Sequence, residues 1–112
     1  MELMCEYVGN VTIVILAGAQ LDASSAEEFK RDITPVLDAH TQVIFDLSQL
    51  GFIDSSGLGA LLSCLRHLQA RGGDLKLCNI SKPVRALFEL VRMHRIFHIF
   101  ATQEEAVHAF QQ

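Results

Sequence analysis

The segment Val43–Gly59 constrains the fold most, because three different local patterns follow one another within it. The apolar run Val43–Leu47 predicts a buried strand, and leucines at spacings of three and four after the segment predict an amphipathic helix. The polar turn Asp54–Gly57 lies between them and places the hydroxyls of Ser55 and Ser56 at a helix N-terminus. Unpaired backbone N–H groups and the positive end of the helix dipole favour a phosphate group at such a position.

Strand and helix patterns alternate along the rest of the chain, after an opening hairpin at Gly9-Asn10. Predicted strands span Leu3–Val8, Val11–Ala17, Gln42–Leu47, Asp74–Ile80 and Ile96–Phe100. Predicted helices follow the capping-box sequences Ser24–Glu27 and Thr102–Glu105, the serine turn, and Ser81. This order of elements predicts an α/β fold with helices packed on a mixed sheet.

Apolar spacing assigns an inward face to each predicted helix. Pro35 removes the hydrogen bond to the carbonyl of Arg31, which predicts a kink or an early end of the first helix. Gly72-Gly73 predicts the end of the second helix. The residues expected to face inward are Phe29, Ile33, Val36, Leu37, Leu61, Leu62, Leu65, Leu68, Val84, Leu87, Phe88, Val91, Val107 and Phe110.

Composition excludes several classes of protein. A chain of 112 residues fits a single domain, 1–112, with its own core. With 9 basic and 13 acidic residues, it lacks the clustered cations that nucleic-acid binding requires. The longest apolar run, Val11–Ala19, is too short to span a membrane, and the acidic N-terminus does not fit a signal peptide. We therefore expect a cytoplasmic protein that binds neither nucleic acid nor membrane, with Cys5, Cys64 and Cys78 as reduced thiols.

Other chemistry-bearing residues carry weaker signals. His94 and His98 are four residues apart with no third ligand nearby, so no metal site is expected. Cys64 lies off the leucine face of its helix and lacks a basic neighbour that would activate it. Neither a phosphate-binding glycine motif nor a histidine placed to form a hydrolase triad is present, so no catalytic residue or cofactor is expected. Five arginines are expected to lie on solvated faces of the helices: Arg66, Arg71, Arg85, Arg92 and Arg95.

The serine turn has two interpretations when spacing alone is considered. Asp54 or Ser55 could simply cap the helix, which contributes about 1 kcal/mol. Gly57 and Gly59, however, each cost about 1 kcal/mol relative to alanine in a helix interior. Small residues there would let the backbone of another protein, or a phosphate group, approach closely. The structural and the functional interpretation both stay open at this point.

The sequences Phe45–Ser48 and Phe52–Gly59 resemble the signature of the STAS domain family. Within that family the chain is most similar to the stand-alone bacterial anti-sigma factor antagonists. Leu21-Asp22, Gly72–Leu75 and Leu87–Leu90 follow in the order that the resemblance implies. It also implies the STAS fold, a mixed sheet of four to five strands packed against four α-helices.

The resemblance implies a binding protein without catalytic activity or cofactor. In such a protein the unphosphorylated form binds an anti-sigma factor that is also an ATP-dependent serine kinase, and so frees the sigma factor. Phosphorylation on Ser56 by that kinase would block binding, and a serine phosphatase would reverse it. The residues expected to contact the partner are Asp22, Asp54, Ser55, Ser56, Gly57, Leu58 and Gly59, with Leu58 as an exposed apolar anchor.

Two other functions stay open at this stage. The chain could be a STAS accessory subunit of a transport or stress-signalling complex, or a small nucleotide-binding protein that uses the two glycines. The family commonly has Gly-Glu before its Leu-Asp pair, whereas this chain has Ala19-Gln20 before Leu21-Asp22. Neither the sigma factor, the phosphatase, the oligomeric state nor the effect of this difference on the partner follows from the sequence.

Overall fold

Five strands form the main sheet of the computed structural model, which describes residues 1–112. In their order across the sheet they are β1 (Leu3–Val8), β2 (Val11–Leu16), β4 (Gln42–Asp46), β6 (Asp74–Cys78) and β7 (His98–Phe100). Strand β1 runs antiparallel to β2, and the remaining neighbours are parallel. The predicted mixed sheet is therefore confirmed.

Two further strands were not predicted. These are β3 (Gln20–Leu21) and β5 (Phe52–Ile53), which pair in parallel as a separate two-stranded sheet. With two residues each, they are too short to produce the alternation by which strands are recognised in a sequence. Their pairing brings the loop after β3 beside the serine turn.

Helices cover both faces of the main sheet. They are α1 (Ala26–Ala39), α2 (Ser55–Gln69), α3 (Lys82–Leu90) and α4 (Gln103–Gln111), with a 3-10 turn at Met93–Arg95. Helices α1, α2 and α3 enclose the larger core cluster on one face, and α4 covers the smaller cluster on the other. The four predicted helices are thus confirmed. None of them combines the length and hydropathy needed to cross a bilayer.

Most residues expected to face inward are buried or pack against the core. Val91 is the exception, since α3 ends at Leu90 and leaves Val91 exposed. The early end expected at Pro35 is also wrong, because α1 continues to Ala39. Buried residues on both sides of the proline, Ile33 and Leu37, hold that helix against the core despite the missing hydrogen bond.

The two predicted capping boxes behave differently. Thr102 caps α4 as expected, since its hydroxyl accepts the Glu105 N–H at 3.1 Å. Helix α1 instead begins at Ala26, and the hydroxyl of Ser25 makes hydrogen bonds with Asp22 rather than with the first turn. The capping box expected at Ser24–Glu27 is therefore wrong. The hydroxyls of Ser24 and Ser25 both donate to the nearby carboxylate of Asp22, and they therefore do not cap the helix.

Arg71 caps the C-terminus of α1 and does not belong to a solvated face. Its guanidinium donates to the carbonyl oxygens of Asp38 at 2.7 Å and His40 at 3.1 Å, and also to that of Leu37. The last carbonyls of a helix have no intrahelical partner, and a cation there also complements the helix dipole. Arg71 thus joins the end of α2 to the end of α1.

Replacing Arg71 by alanine is expected to lower the free energy of unfolding by about 2 kcal/mol, because charge-assisted hydrogen bonds to three carbonyls are lost. Arg66→Ala is the matched control, since Arg66 is an exposed arginine in the last turn of α2, shortly before Arg71, and it should change stability by less than about 0.5 kcal/mol. Urea denaturation of both variants measures the difference. Equal losses would contradict the capping role.

Asp46 joins two loops and the start of α4 at the carboxyl end of β4. Its buried carboxylate accepts hydrogen bonds from the Ser48 N–H at 2.9 Å, the Asn79 amide at 3.0 Å and the Gln103 amide at 2.6 Å. Burial acts to raise the pKa of Asp46, but these hydrogen bonds outweigh it and hold the pKa below the ordinary 3.8.

Because the pKa of Asp46 is lower in the folded chain, its ionised form stabilises the fold above pH 3.8, and this stabilisation is lost as the pH falls through the folded value. Asp46→Asn should cost about 1–3 kcal/mol at neutral pH, since an amide cannot accept all three hydrogen bonds. The stability difference between the two proteins should shrink on acidification below pH 3.8. Urea denaturation across pH measures it, and a constant difference would contradict the assignment.

Candidate functional site

Asp54 holds the serine turn together. It is the N-cap of α2, and its Oδ1 accepts the Gly57 N–H at 3.0 Å. Its Oδ2 accepts the N–H of Ala23, in the loop after β3, at 3.0 Å. One carboxylate therefore serves both as a helix cap and as a bridge to a second segment of the chain.

The loop after β3 supplies a second carboxylate. Leu21 pairs with Ile53, and the Leu21 carbonyl accepts the Asp54 N–H at 3.3 Å, which sets Asp22 beside the start of α2. The carboxylate of Asp22 accepts hydrogen bonds from the hydroxyl of Ser24 at 2.6 Å and from its N–H at 3.0 Å. These bonds from Ser24, foremost the hydroxyl, hold the pKa of Asp22 below 3.8, so the group is charged at neutral pH.

Ser55 and Ser56 are the first two residues of α2, and both are exposed. The hydrogen bonds of the turn are made by Asp54 and by the backbone, and they leave both hydroxyls unengaged. The first N–H groups of a helix lack intrahelical acceptors. Either hydroxyl is therefore accessible to a modifying enzyme, at the end of the helix that accommodates added negative charge.

The two glycines of the turn have different roles. A Cβ on Gly57 would lie 2.2 Å from the carbonyl oxygen of Leu21 and 2.7 Å from the side chain of Ile53. A Cβ on Gly59 would meet nothing within 4 Å. The expectation that Gly57 makes room for a partner is wrong, because the small β3–β5 sheet already occupies that space. Only Gly59 is exposed to a partner.

Leu58 is not the exposed apolar anchor that the sequence predicts. Its side chain is only 6% exposed and belongs to the large core cluster. Phe52, by contrast, is 53% exposed two residues before Asp54, while its neighbour Ile53 points into the core. Phe52 and Ile53 are successive residues of β5, and successive side chains of a strand point to opposite faces. Phe52 is therefore the large apolar side chain that is exposed beside the turn, and sequence reasoning missed it.

The remaining candidate residues do not form a site. His94 lies in the 3-10 turn and His98 in β7, and no group of three potential ligands is placed to hold a metal ion. Cys64 is buried in the core rather than lying off the inward face, and burial raises its pKa to about 12. Burial also raises the pKa of Cys78 to about 12, with Asp46 adding to the shift. Both thiols are structural.

Alanine substitutions distinguish the roles of the two glycines. Gly57→Ala is expected to lower the free energy of unfolding by about 1–3 kcal/mol, because the new methyl group overlaps the Leu21 carbonyl. Gly59→Ala should raise it by up to about 1 kcal/mol, since alanine is the better helix former and has space. Urea denaturation measures both. Loss of stability in both variants would contradict the assignment of Gly59 to open surface.

Comparison with known proteins places this chain in a family. The family model of the STAS domain matches residues 3–106. The anti-sigma F factor antagonist of Lysinibacillus sphaericus is 31% identical over 109 residues, which cover 96% of this chain and 92% of that protein.

Three solved structures show the same fold. The putative anti-sigma factor antagonist TM1081 of Thermotoga maritima superimposes with a TM-score of 0.87 at 26% identity, over 98% of this chain and 95% of that one. The anti-sigma factor antagonist SpoIIAA in its unphosphorylated form superimposes with a TM-score of 0.78 at 30% identity, over 98% and 96% of the two chains. The Bacillus protein SpoIIAA has also been solved in a phosphorylated form, with a TM-score of 0.70 at 29% identity, over 97% and 99%. From the match over almost its whole length, we conclude that this chain belongs to the STAS domain family.

Proposed function

We propose that this protein is an anti-sigma factor antagonist controlled by phosphorylation of Ser56. In its unphosphorylated form it binds an anti-sigma factor that is a serine kinase, and this releases the sigma factor. The observation that carries the proposal is an exposed, unengaged hydroxyl at the start of α2, in a turn that Asp54 caps and links to the loop of Asp22. The names of the relatives support the same function.

The docking surface in this proposal consists of the loop after β3 and the first turn of α2. Asp22, Asp54, Ser55, Ser56 and Gly59 are accessible on it. Phe52 takes the role of apolar anchor that the sequence assigned to Leu58, since a well-packed aromatic side chain is a common centre of binding energy. Gly57 contributes by letting α2 pack tightly on Leu21 rather than by contact with the partner.

Electrostatic repulsion explains how a phosphate group would end binding. Phosphoserine carries about −1.5 to −2 charges at neutral pH. At Ser56 this charge would join those of Asp22 and Asp54, and a docked partner would have to bury it without a matching cation. Such a mismatch at an interface costs about 3–5 kcal/mol, which lowers affinity by a factor of hundreds or more.

The fold itself should tolerate the phosphate group. The N-terminal end of α2 attracts negative charge, because free N–H groups and the helix dipole point towards it. The core beneath, including Leu58 and Leu61, faces away from the serines. The proposed switch therefore acts by local repulsion at the interface, without a large conformational change.

In this proposal the protein has no catalytic activity of its own, and Ser56 is a substrate of its partner. A serine phosphatase regenerates the binding form, and all three proteins meet in the cytoplasm. Cys64 and Cys78 do not offer a nucleophile, since burial raises the pKa of each thiol to about 12. Incubation with ATP alone should leave the protein unmodified and the ATP intact.

Substitution of the two serines tests the proposal against the serine kinase encoded in the same genome. Ser56→Ala should bind the kinase as tightly as the wild type and should not be phosphorylated. Ser56→Asp should fold normally and bind at least about a hundredfold more weakly, because one added charge already meets the partner. Isothermal titration calorimetry measures affinity, and intact-mass analysis after incubation with kinase and ATP measures phosphorylation.

Ser55→Ala is the matched control, since Ser55 is equally exposed at the adjacent position. It should still gain one phosphate group, which fragment mapping should locate on Ser56. Phosphorylation of Ser56→Ala but not of Ser55→Ala would move the acceptor to Ser55. Equal affinities of Ser56→Ala and Ser56→Asp would contradict the electrostatic mechanism.

A further inference from the structure

A cluster of exposed apolar and basic residues lies outside the proposed docking surface. Leu90 is 79% exposed, and Val91 and Ile96 are 47% and 49% exposed, all at the end of α3 and in the 3-10 turn. Arg92 and Arg95 are exposed between them and make no ion pair. We call these five residues the basic tip.

The tip is basic although the chain as a whole is acidic. Arg92 and Arg95 belong to the tip, and Glu89, directly before it, is the nearest acidic residue in the sequence. Large apolar side chains that are exposed together and flanked by unpaired charges are typical of an interaction surface. Arg92 has a left-handed backbone, φ 62°, which turns the chain sharply at the centre of the tip.

A groove with the opposite charge lies between β1 and α4. It has a volume of about 480 Å³ and an apolar lining formed by Val8, Ile13 and Val107. Glu6 and Glu104 line it as well, and neither makes an ion pair. The lining contains these two carboxylates and no lysine or arginine, so the groove is acidic. We call these residues the acidic groove.

The tip and the groove cannot meet within one molecule. The tip immediately precedes β7, one edge of the main sheet, whereas the groove lies over β1 and β2 at the opposite edge. The tip also continues from α3, on one face of the sheet, and the groove is bounded by α4, on the other. Each surface therefore remains available to a second copy.

We propose that the basic tip of one copy docks into the acidic groove of a second copy. Leu90 and Val91 would enter the apolar lining, while Arg92 and Arg95 would meet Glu6 and Glu104. Because the two surfaces lie at opposite edges and on opposite faces of the sheet, the contact is head-to-tail and leaves one tip and one groove free, so it produces open chains or rings rather than closed dimers. Ser56 belongs to neither surface, and its helix α2 packs on the face of the sheet opposite to α4 and the groove, so the inference does not rest on the proposed function.

Sedimentation velocity of the full chain, over a wide range of protein concentration and at low and high salt, tests this. The wild type should form species larger than a dimer as concentration rises. High salt should weaken the association, because exposed charges are screened over a Debye length of about 10 Å at 0.1 M. A protein that stays monomeric at the highest concentration and the lowest salt would overturn the proposal and leave the two surfaces to other partners.

Charge reversal makes the test specific. Arg92→Glu with Arg95→Glu reverses the tip, and Glu6→Lys with Glu104→Lys reverses the groove. Each double variant alone should associate at least about tenfold more weakly than the wild type. A mixture of the two variants should associate again, because each reversed surface then meets its complement on the other protein.

Arg31→Glu with Arg66→Glu is the control, since it changes the net charge equally at exposed positions outside the tip. It should associate as the wild type does, apart from the general effect of net charge. Circular dichroism of every variant checks that the fold is retained. Failure of the mixture to associate, or a loss in the control as large as in the tip variant, would overturn the proposal.

Discussion

The carboxylate of Asp54 is the interaction on which the candidate site depends. It accepts N–H groups from Gly57 and from Ala23, which is 31 residues away in the sequence. The helix bearing the serines and the loop bearing Asp22 are thereby held as one surface. A neutral cap could satisfy one of these donors, but a carboxylate with two oxygens satisfies both and adds a favourable interaction with the helix dipole. Asp54 thus holds this surface together and also contributes to its negative charge.

The net charge of −4 does not describe how charge is distributed over the surface of this chain. Acidic groups border the serine turn and the groove beside α4, whereas two arginines without ion-pair partners, Arg92 and Arg95, follow the end of α3. A single net value averages over these regions and correctly argues against a continuous cationic surface for nucleic acid. It gives no information about local surfaces, which depend on where the fold places each charge.

Several features were predictable from the sequence because they rest on local patterns. Apolar runs identified the strands of the main sheet, and helical spacing identified the inward faces of all four helices. Thr102 was recognised as a cap because its partner is only three residues away. Two predictions failed where a distant segment intervened: Leu21 filled the space beside Gly57, and the α1 carbonyls accept hydrogen bonds from Arg71. The capping box failed for a local reason, because Asp22, three residues before Ser25, binds the Ser25 hydroxyl.

The sequence by itself determined the α/β architecture and the position of two serines at a helix start, since both follow from periodicity and turn chemistry over a few residues. Tertiary structure alone decided that Leu58 is buried and Phe52 exposed, because pairing of β3 with β5 sets which side of the turn faces the core. It also decided that tip and groove lie at opposite edges of the sheet, which depends on strand order. Local sequence determines how each segment folds, whereas the pairing of distant segments determines which side chains are exposed on the same surface.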